Sequence, residues 1–390
     1  MRLTTLHSWL SIKSRLVGRD AGVFSSWNHS LHHCSWDGVT CGRKHNRVIQ
    51  LDLSSRGLSG TISPFVGNLS FLKNLSLYNN SLVGHFPPEI GRLLRLKALQ
   101  LFNNMIGGKI PSNLLACLNL QHLSIGFNNL EGKLPSEFGA LSKLKFLALY
   151  FNYFSGPLFQ NIANITSLEI ISVENNSFTG NIPSNIGKME NLTALMADQN
   201  EISGTIPTSI LNCSLLETLA ISRNNLHGKL PVDIGLRLPY LTYLDINTNK
   251  FSGTFLNSLL NLTSINTINF GINDFVGTVP HDFGRLHNLV ELTLALNQFE
   301  GDIKFIGSLV NCTDLKMLQL SGNKFTGILP ESVANLSTSL SIFGLQQCGI
   351  RGEIPKHISN LQSLTLLLLN GNELVGSIPY DLGKIRIIFK

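Results

Sequence analysis

Fourteen glycines recur at a nearly fixed interval, and that interval limits the fold more than any other property of the sequence. They stand at 60, 84, 108, 132, 156, 180, 204, 228, 253, 277, 301, 327, 352 and 376, with steps of 24 residues ten times, 25 twice and 26 once. Around each one the pattern reads L-x-x-L-x-L-x-x-N-x-Φ-x-G with Φ apolar, as in Leu72, Leu75, Leu77, Asn80, Leu82 and Gly84. Self-similarity at this period means stacked supersecondary units, each burying its apolar side against its neighbours. A chain of 390 residues therefore need not divide into the two or three separate cores that its length would otherwise imply.

The spacing dictates local structure. In L-x-L both leucines point to one side of a short strand, and the residues between them point to the other. Strands of successive units pair in parallel about 4.8 Å apart, so their leucines fuse into one apolar spine. Phe fills the Φ position in six units (Phe154, Phe178, Phe251, Phe275, Phe299 and Phe325) and is expected on the opposite wall of that core. Asn fills twelve of the fourteen N positions, with Arg56 in the first and Cys348 in the thirteenth. There the backbone leaves the strand, and an amide with two donors and an acceptor can pair the groups so orphaned.

Charge and hydropathy exclude several function classes. The formal net charge is +6, but residues 51–380 hold 20 basic against 21 acidic side chains, so the repeats form no basic groove for nucleic acid. No run of 18 apolar residues could span a bilayer, and the first thirty residues lack the apolar stretch of a secretory signal. Asp282-Phe283-Gly284 spells a kinase magnesium motif, yet no phosphate loop or H-R-D segment accompanies it. It occupies the same place in its unit as Glu137-Phe138-Gly139, which makes it a structural turn. No catalytic residue, cofactor or metal is expected, and a zinc site from His32, His33, Cys34 and Cys41 lacks a second ligand pair at usable spacing.

Ten units continue [IVLF]-P after the glycine, for example Ile110-Pro111 and Ile354-Pro355. L-x-G-x-I-P within a 24-residue period resembles the plant-type leucine-rich repeat. The resemblance implies an α/β repeat solenoid: a superhelix with a concave parallel β-sheet, a second short strand per unit, and 3-10 turns or loops on its convex side. Trp27 and the segment Cys34-Ser35-Trp36-Asp37-Gly38-Val39-Thr40-Cys41 resemble the N-terminal cap of such proteins, whose Cys34–Cys41 pair would be oxidised. Leu10 to Leu16 resembles the cap's short amphipathic helix. The expected organisation is a cap over 1–47, fourteen repeats over 48–387, and the start of an incomplete repeat at 388–390, with Ile388 in its first leucine position. Cys117, Cys213 and Cys312 share one position in different units, four repeats or about 19 Å apart, too far for disulfides, and are expected as buried thiols.

Binding is expected where the strands face away from the leucines. Tyr78, Phe102, Phe127, Tyr150, Phe151, Glu174, Asp198 and Arg223 occupy those positions. Exposed aromatics there would supply rigid contact area to a ligand, although the Phe rings could instead tuck into adjoining turns. Sequons for N-glycosylation occur at Asn28, Asn68, Asn74, Asn79, Asn164, Asn175, Asn191, Asn261 and Asn335. Two more, at Asn212 and Asn311, are expected to be less accessible because a buried cysteine follows each.

The stretches Ser308–Leu315 and Val333–Leu340 are similar to the late repeats of plant receptor kinases of the flagellin- and elongation-factor-sensing group. That resemblance implies an extracellular, plasma-membrane-surface domain in pathogen sensing, with a peptide or protein ligand on the concave face. It also implies a shorter leucine-rich-repeat co-receptor kinase near the C-terminal repeats, and a Ser/Thr kinase further along the full-length protein. The chain lacks the C-terminal cap, membrane helix and kinase of that group, and reads as truncated relative to it. Alternatives are a secreted inhibitor of microbial cell-wall hydrolases, which is shorter and doubly capped, and a non-functional truncated paralogue.

Overall fold

Each period folds as one coil. A short strand carries the L-x-L pair, a turn follows at the Asn, a second short strand runs to the glycine, and a 3-10 turn brings the chain back, replaced by a short α-helix at Leu158–Ile162 and Ile234–Arg237. Asn74–Ser76, Ser81–Val83 and Pro88–Arg92 make one such coil. The structure, a computed structural model, describes residues 3–18, 22–28, 30–384 and 388–389. The chain divides into two compact units. The N-terminal unit is Met1–Leu192 with Gln199–Glu201, and the C-terminal unit is Thr193–Asp198 with Ile202–Lys390.

In the N-terminal unit, Val39–Cys41 pairs antiparallel with Val48–Asp52, and parallel strands then follow one per coil to Ile170–Ser172. Register aligns leucine on leucine: Leu51 faces Leu75, Leu75 faces Leu99, and Leu123 faces Leu147. The C-terminal unit repeats this from Ala194–Met196 to Leu366–Leu368, followed by Ile388–Phe389. That last strand sets Ile388 beside Leu366, two positions later than a 24-residue step from Leu364 predicts. The second strands also pair in each unit, as in Asn129–Lys133 with Tyr153–Pro157 and Gln298–Asp302 with Lys324–Ile328. The repeat glycine, in or just after each second strand, has positive φ, +82° at Gly132 and +100° at Gly301, which a side chain would resist.

The six Φ-position phenylalanines are buried, and neighbours stack, Phe154 on Phe178 at 5.9 Å and Phe275 on Phe299 at 5.8 Å. The asparagines form the second, polar spine. Asn128 donates to the carbonyls of Leu101, Ile125 and Gly126 and accepts from Ile106 N–H, all within 3.1 Å. Asn297 does the same in the C-terminal unit, donating to Phe270, Leu294 and Ala295 and accepting from Phe275 N–H. Arg56, lacking an amide, turns its guanidinium to Asp37 of the cap at 2.5 Å.

The cap is built on tryptophan. Trp9, Trp27 and Trp36 are buried, with Trp9 edge-on to the other two and Trp27 stacked on Trp36 at 5.2 Å. Cys34 and Cys41 form a disulfide. The cap helix is Leu3–Ser14, earlier than the Leu10–Leu16 reading. Leu16 belongs instead to a strand, Leu16–Val17, which pairs antiparallel with Ser59–Thr61 and covers the edge of the second sheet. Covering an open strand edge outweighs one more turn of helix.

Candidate functional site

The open face of the main sheet carries different chemistry in each unit. In the N-terminal unit it is aromatic. Tyr78 stacks on Phe102 with ring centres 4.5 Å apart, and Phe127 stacks on Phe151 at 4.3 Å. Tyr150 meets Phe127 edge-on at 5.3 Å. Phe127 and Phe151 are 46% and 45% exposed, so they do not tuck into the turns. Both have left-handed backbone, with φ of +48° and +50°. In every coil this position follows the strand and takes that conformation, and Asn79, Asn103 and Asn175 occupy it at little cost. A bulky ring there is strained, and such strain concentrates at functional surfaces. Glu174 accepts from Ser172 Oγ at 2.7 Å. The Tyr150 phenol is pushed up by burial first and by the Glu174 charge second. His122 and Phe146, at the outward position that opens their strands, also stack, at 4.2 Å, and burial lowers the His122 pKa.

In the C-terminal unit the same face is acidic. Asp198 accepts from both the N–H and the hydroxyl of Ser222 at 2.7 Å, and burial raises its pKa despite those bonds. Asp245 is pushed up to about 6, chiefly by burial and then by the charges of Asp198 and Glu291, while Asn247 N–H and Arg223 oppose the shift. Burial also raises Glu291, and Tyr243 rises to about 12 through burial and the carboxylates around it. Arg223 is the cation of this face, exposed and in the left-handed position at φ +50°. Exposed aliphatics fill that position further on, Ile272 at 46% and Leu296 at 51%. Sequence reasoning named Asp198 and Arg223 but missed Tyr243, Asp245 and Glu291. Asp245 and Glu291 lie in the columns of Ser76 and Asn74, so aligning all fourteen units by column exposes them.

These faces can be set beside known proteins. The Leucine rich repeat N-terminal domain family matches residues 7–42, and the Leucine Rich Repeat family matches 71–93, 119–141, 167–189 and 314–336. The LRR receptor-like serine/threonine-protein kinase EFR of Arabidopsis thaliana is 47% identical over 78 residues, 20% of this chain and 8% of that protein. Receptor kinase-like protein Xa21 of Oryza sativa subsp. japonica is 49% identical over 77 residues, 18% of this chain and 7% of that protein. Each match thus spans less than a tenth of the relative. Among solved structures, the plant peptide hormone receptor RGFR1 in complex with RGF2 superposes with a TM-score of 0.79 at 33% identity, covering 87% of this chain and 54% of that one. The PEPR1–AtPEP1 structure gives 0.70 at 28% identity over 98% of this chain and 64% of the other. The chain has the leucine-rich-repeat solenoid fold. Its relatives in sequence are plant receptor kinases.

The remaining expected sites of the leucine-rich-repeat domain fall out as follows. Cys117, Cys213, Cys312 and Cys348 are buried thiols, and desolvation pushes Cys117 and Cys312 up to about 11. Sequons at Asn28, Asn68, Asn79, Asn164, Asn191, Asn261 and Asn335 are exposed, while Asn74 and Asn175 are half-buried. Asn212 and Asn311 are exposed too, contrary to expectation. Each ends a 3-10 turn, and only the next residue rotates inward to place its sulfur in the core. Phe283 of the kinase-like triplet is a buried core anchor, with Asp282 left in solvent. His32, His33 and Cys34 lie within 4.8 Å of one another, but the Cys34 sulfur is held in the disulfide and offers no thiolate.

Proposed function

We propose that this chain is the extracellular recognition domain of a plant leucine-rich-repeat receptor-like kinase or receptor-like protein in pathogen sensing. It binds an extended peptide or a protein segment along the open face of the main sheet. The stacked pairs Tyr78–Phe102 and Phe127–Phe151 carry this reading. Rings left partly in water, two of them on a strained backbone, bury little apolar surface in folding, whereas capping by a ligand would bury them fully. The likeness to the plant peptide hormone receptor RGFR1 in complex with RGF2 supports a peptide ligand. An extracellular setting is supported by the Cys34–Cys41 disulfide, a bond that persists in oxidising compartments, and by the exposed sequons. Among the described residues no helix is long and apolar enough to cross a membrane.

Selection of peptides from a microbial-peptide library on the purified chain tests the proposal. A peptide so selected should lose at least about tenfold in affinity for the Phe127→Ala/Phe151→Ala double variant, the cost of removing a central aromatic anchor. Peptides that bind both proteins equally would move the site off this face. A shorter co-receptor kinase beside the late repeats completes the reading, on the strength of the resemblance to plant receptor kinases. Its check is peptide-dependent association of such a kinase with the chain in a pull-down.

A further inference from the structure

Residues 38–97 contain eight Lys and Arg against two acids, Asp52 and Glu89, so this stretch alone carries a net charge of +6, the formal excess of the whole chain. The fold concentrates it at one place, the entry ends of the first main strands. Arg43 and Lys44 lie in the loop between Val39–Cys41 and Val48–Asp52, a loop closed by Gly42 N–H on the Arg47 carbonyl at 2.8 Å. Arg47, Phe71 and Arg95 share one column of the repeat, spaced by 24 residues, and Lys73 and Lys97 share another. The Arg47 and Arg95 guanidiniums both lie over the Phe71 ring, at 4.7 and 4.2 Å from its centre.

A cleft of about 250 Å³ opens here, lined by Arg43, Lys44, Arg47, Lys73, Arg95 and Phe71 among others. A second cleft of about 300 Å³ shares Arg47 and Phe71 with it and reaches His33, whose Nδ1 is buried without a hydrogen-bond partner. Among the described residues none of the five cations forms an ion pair. Asp52, five residues after Arg47, accepts instead from the N–H and hydroxyl of Ser54. Contact with Phe71 holds the two guanidiniums over the ring without using their N–H groups, which can grip carboxylates in pairs.

We propose that this cleft binds a linear acidic polysaccharide bearing one carboxylate per sugar ring, laid across the strand ends. The columns advance by the strand spacing, about 4.8 Å per repeat. Arg47 and Arg95 stand two repeats, or about 9.6 Å, apart with Phe71 between them. A uronate chain with a two-fold twist returns a carboxylate to the same side every second pyranose ring, a comparable length, and so meets both. An extended acidic peptide presents same-side carboxylates only at every second residue, about 6.6 Å apart, and falls out of step. The site lies off the open face of the sheet and stands independently of the peptide-binding proposal.

Calorimetric titration of the full chain with a short polygalacturonate oligomer tests this, beside its fully methyl-esterified form and an oligoglutamate of equal charge. The acidic oligomer should bind, the esterified one should not, and added salt should weaken the complex. Arg47→Gln with Arg95→Gln should reduce affinity at least about tenfold through lost charge-assisted hydrogen bonds, at an unchanged melting temperature because both side chains are exposed. Should that pair disturb the cap, Lys73→Gln with Lys97→Gln reads the neighbouring column of cations. Phe127→Ala, on the open face, should leave binding intact. No binding, equal binding by wild type and both variants, or oligoglutamate binding as tightly as the uronate would each overturn the proposal.

Discussion

The two units share one backbone plan and one core, yet their open faces differ: stacked aromatics in the N-terminal unit, coupled carboxylates with one arginine in the C-terminal unit. What is common to both is what the fold needs. Leucines in register and asparagines at the turn recur in each, with the same hydrogen bonds to within a few tenths of an ångström. What differs sits only at positions the core does not see. A solenoid thus separates stability from recognition column by column, and substitutions in matched columns of the two units can show how clean that separation is.

The largest effect belongs to the shared part. Asn128→Ala and Asn297→Ala each strand one buried N–H, of Ile106 and of Phe275, and take the amide donor from three carbonyls. Unsatisfied buried groups cost about 1–3 kcal/mol each, so each variant should lose roughly 3 kcal/mol in urea unfolding, and the two losses should match. A much smaller loss in one unit would mean that the polar spine is not equivalent in both, and the comparison would fail at its base.

The differing part should respond to pH with opposite sign. Burial pushes Asp245 up to about 6, above the 3.8 of a free aspartate. Its protonated form is favoured by the fold, so its contribution is fully present below about 4 and is lost as pH rises through about 6. The shift corresponds to about 1–2 kcal/mol after allowance for partial solvation. His122 in the N-terminal unit is lowered from 6.5 by burial. Its neutral form is favoured, so its contribution is present above about 6.5 and is lost as pH falls through the folded pKa. Melting curves between pH 4 and 7.5 should therefore flatten on the acidic side in His122→Gln and across pH 4–6 in Asp245→Asn. If both variants shifted the profile in the same direction, burial would not be the controlling cause.

Much of this was legible in the sequence, because the features that build the coil are periodic. The leucine columns, the Asn ladder, the buried Phe wall and the thiols Cys117, Cys213 and Cys312 follow from position within the repeat, while the cap disulfide was legible through the resemblance of Cys34–Cys41 to a known cap. The aromatic face was legible for the same reason. The acidic cluster was not, since Asp245 and Glu291 are isolated in sequence and acquire meaning only when neighbouring coils bring their charges together. The cap was read less well because its elements occur once. Leu16 falls in the segment that resembles the cap helix, but the open edge of Ser59–Thr61 claims it as a strand. The exposure of Asn212 and Asn311 was hidden because burial changes over one residue at the end of a 3-10 turn, too short a distance for composition to register.

The smallest expected effect is also the one that separates strain kept for a purpose from strain alone. Phe127 and Ile272 occupy the same left-handed position in the two units, at φ +48° and +52°. Asn stands there naturally at 79 and 103, where the two side chains bond each other at 2.8 Å. Replacement by Asn should relieve about 1 kcal/mol of backbone strain at either site. At Phe127 that gain is offset by loss of the stack on Phe151 and the edge contact with Tyr150, each worth about 0.5–1.5 kcal/mol. Ile272 has no ring to stack on a neighbour, so nothing of that kind opposes the gain. Ile272→Asn should therefore raise stability by about 1 kcal/mol, while Phe127→Asn should leave it nearly unchanged or lower it slightly. Equal gains at both sites in parallel urea titrations would show that the aromatic stack contributes no stability, and Phe127 would then owe its strained place to ligand contact alone.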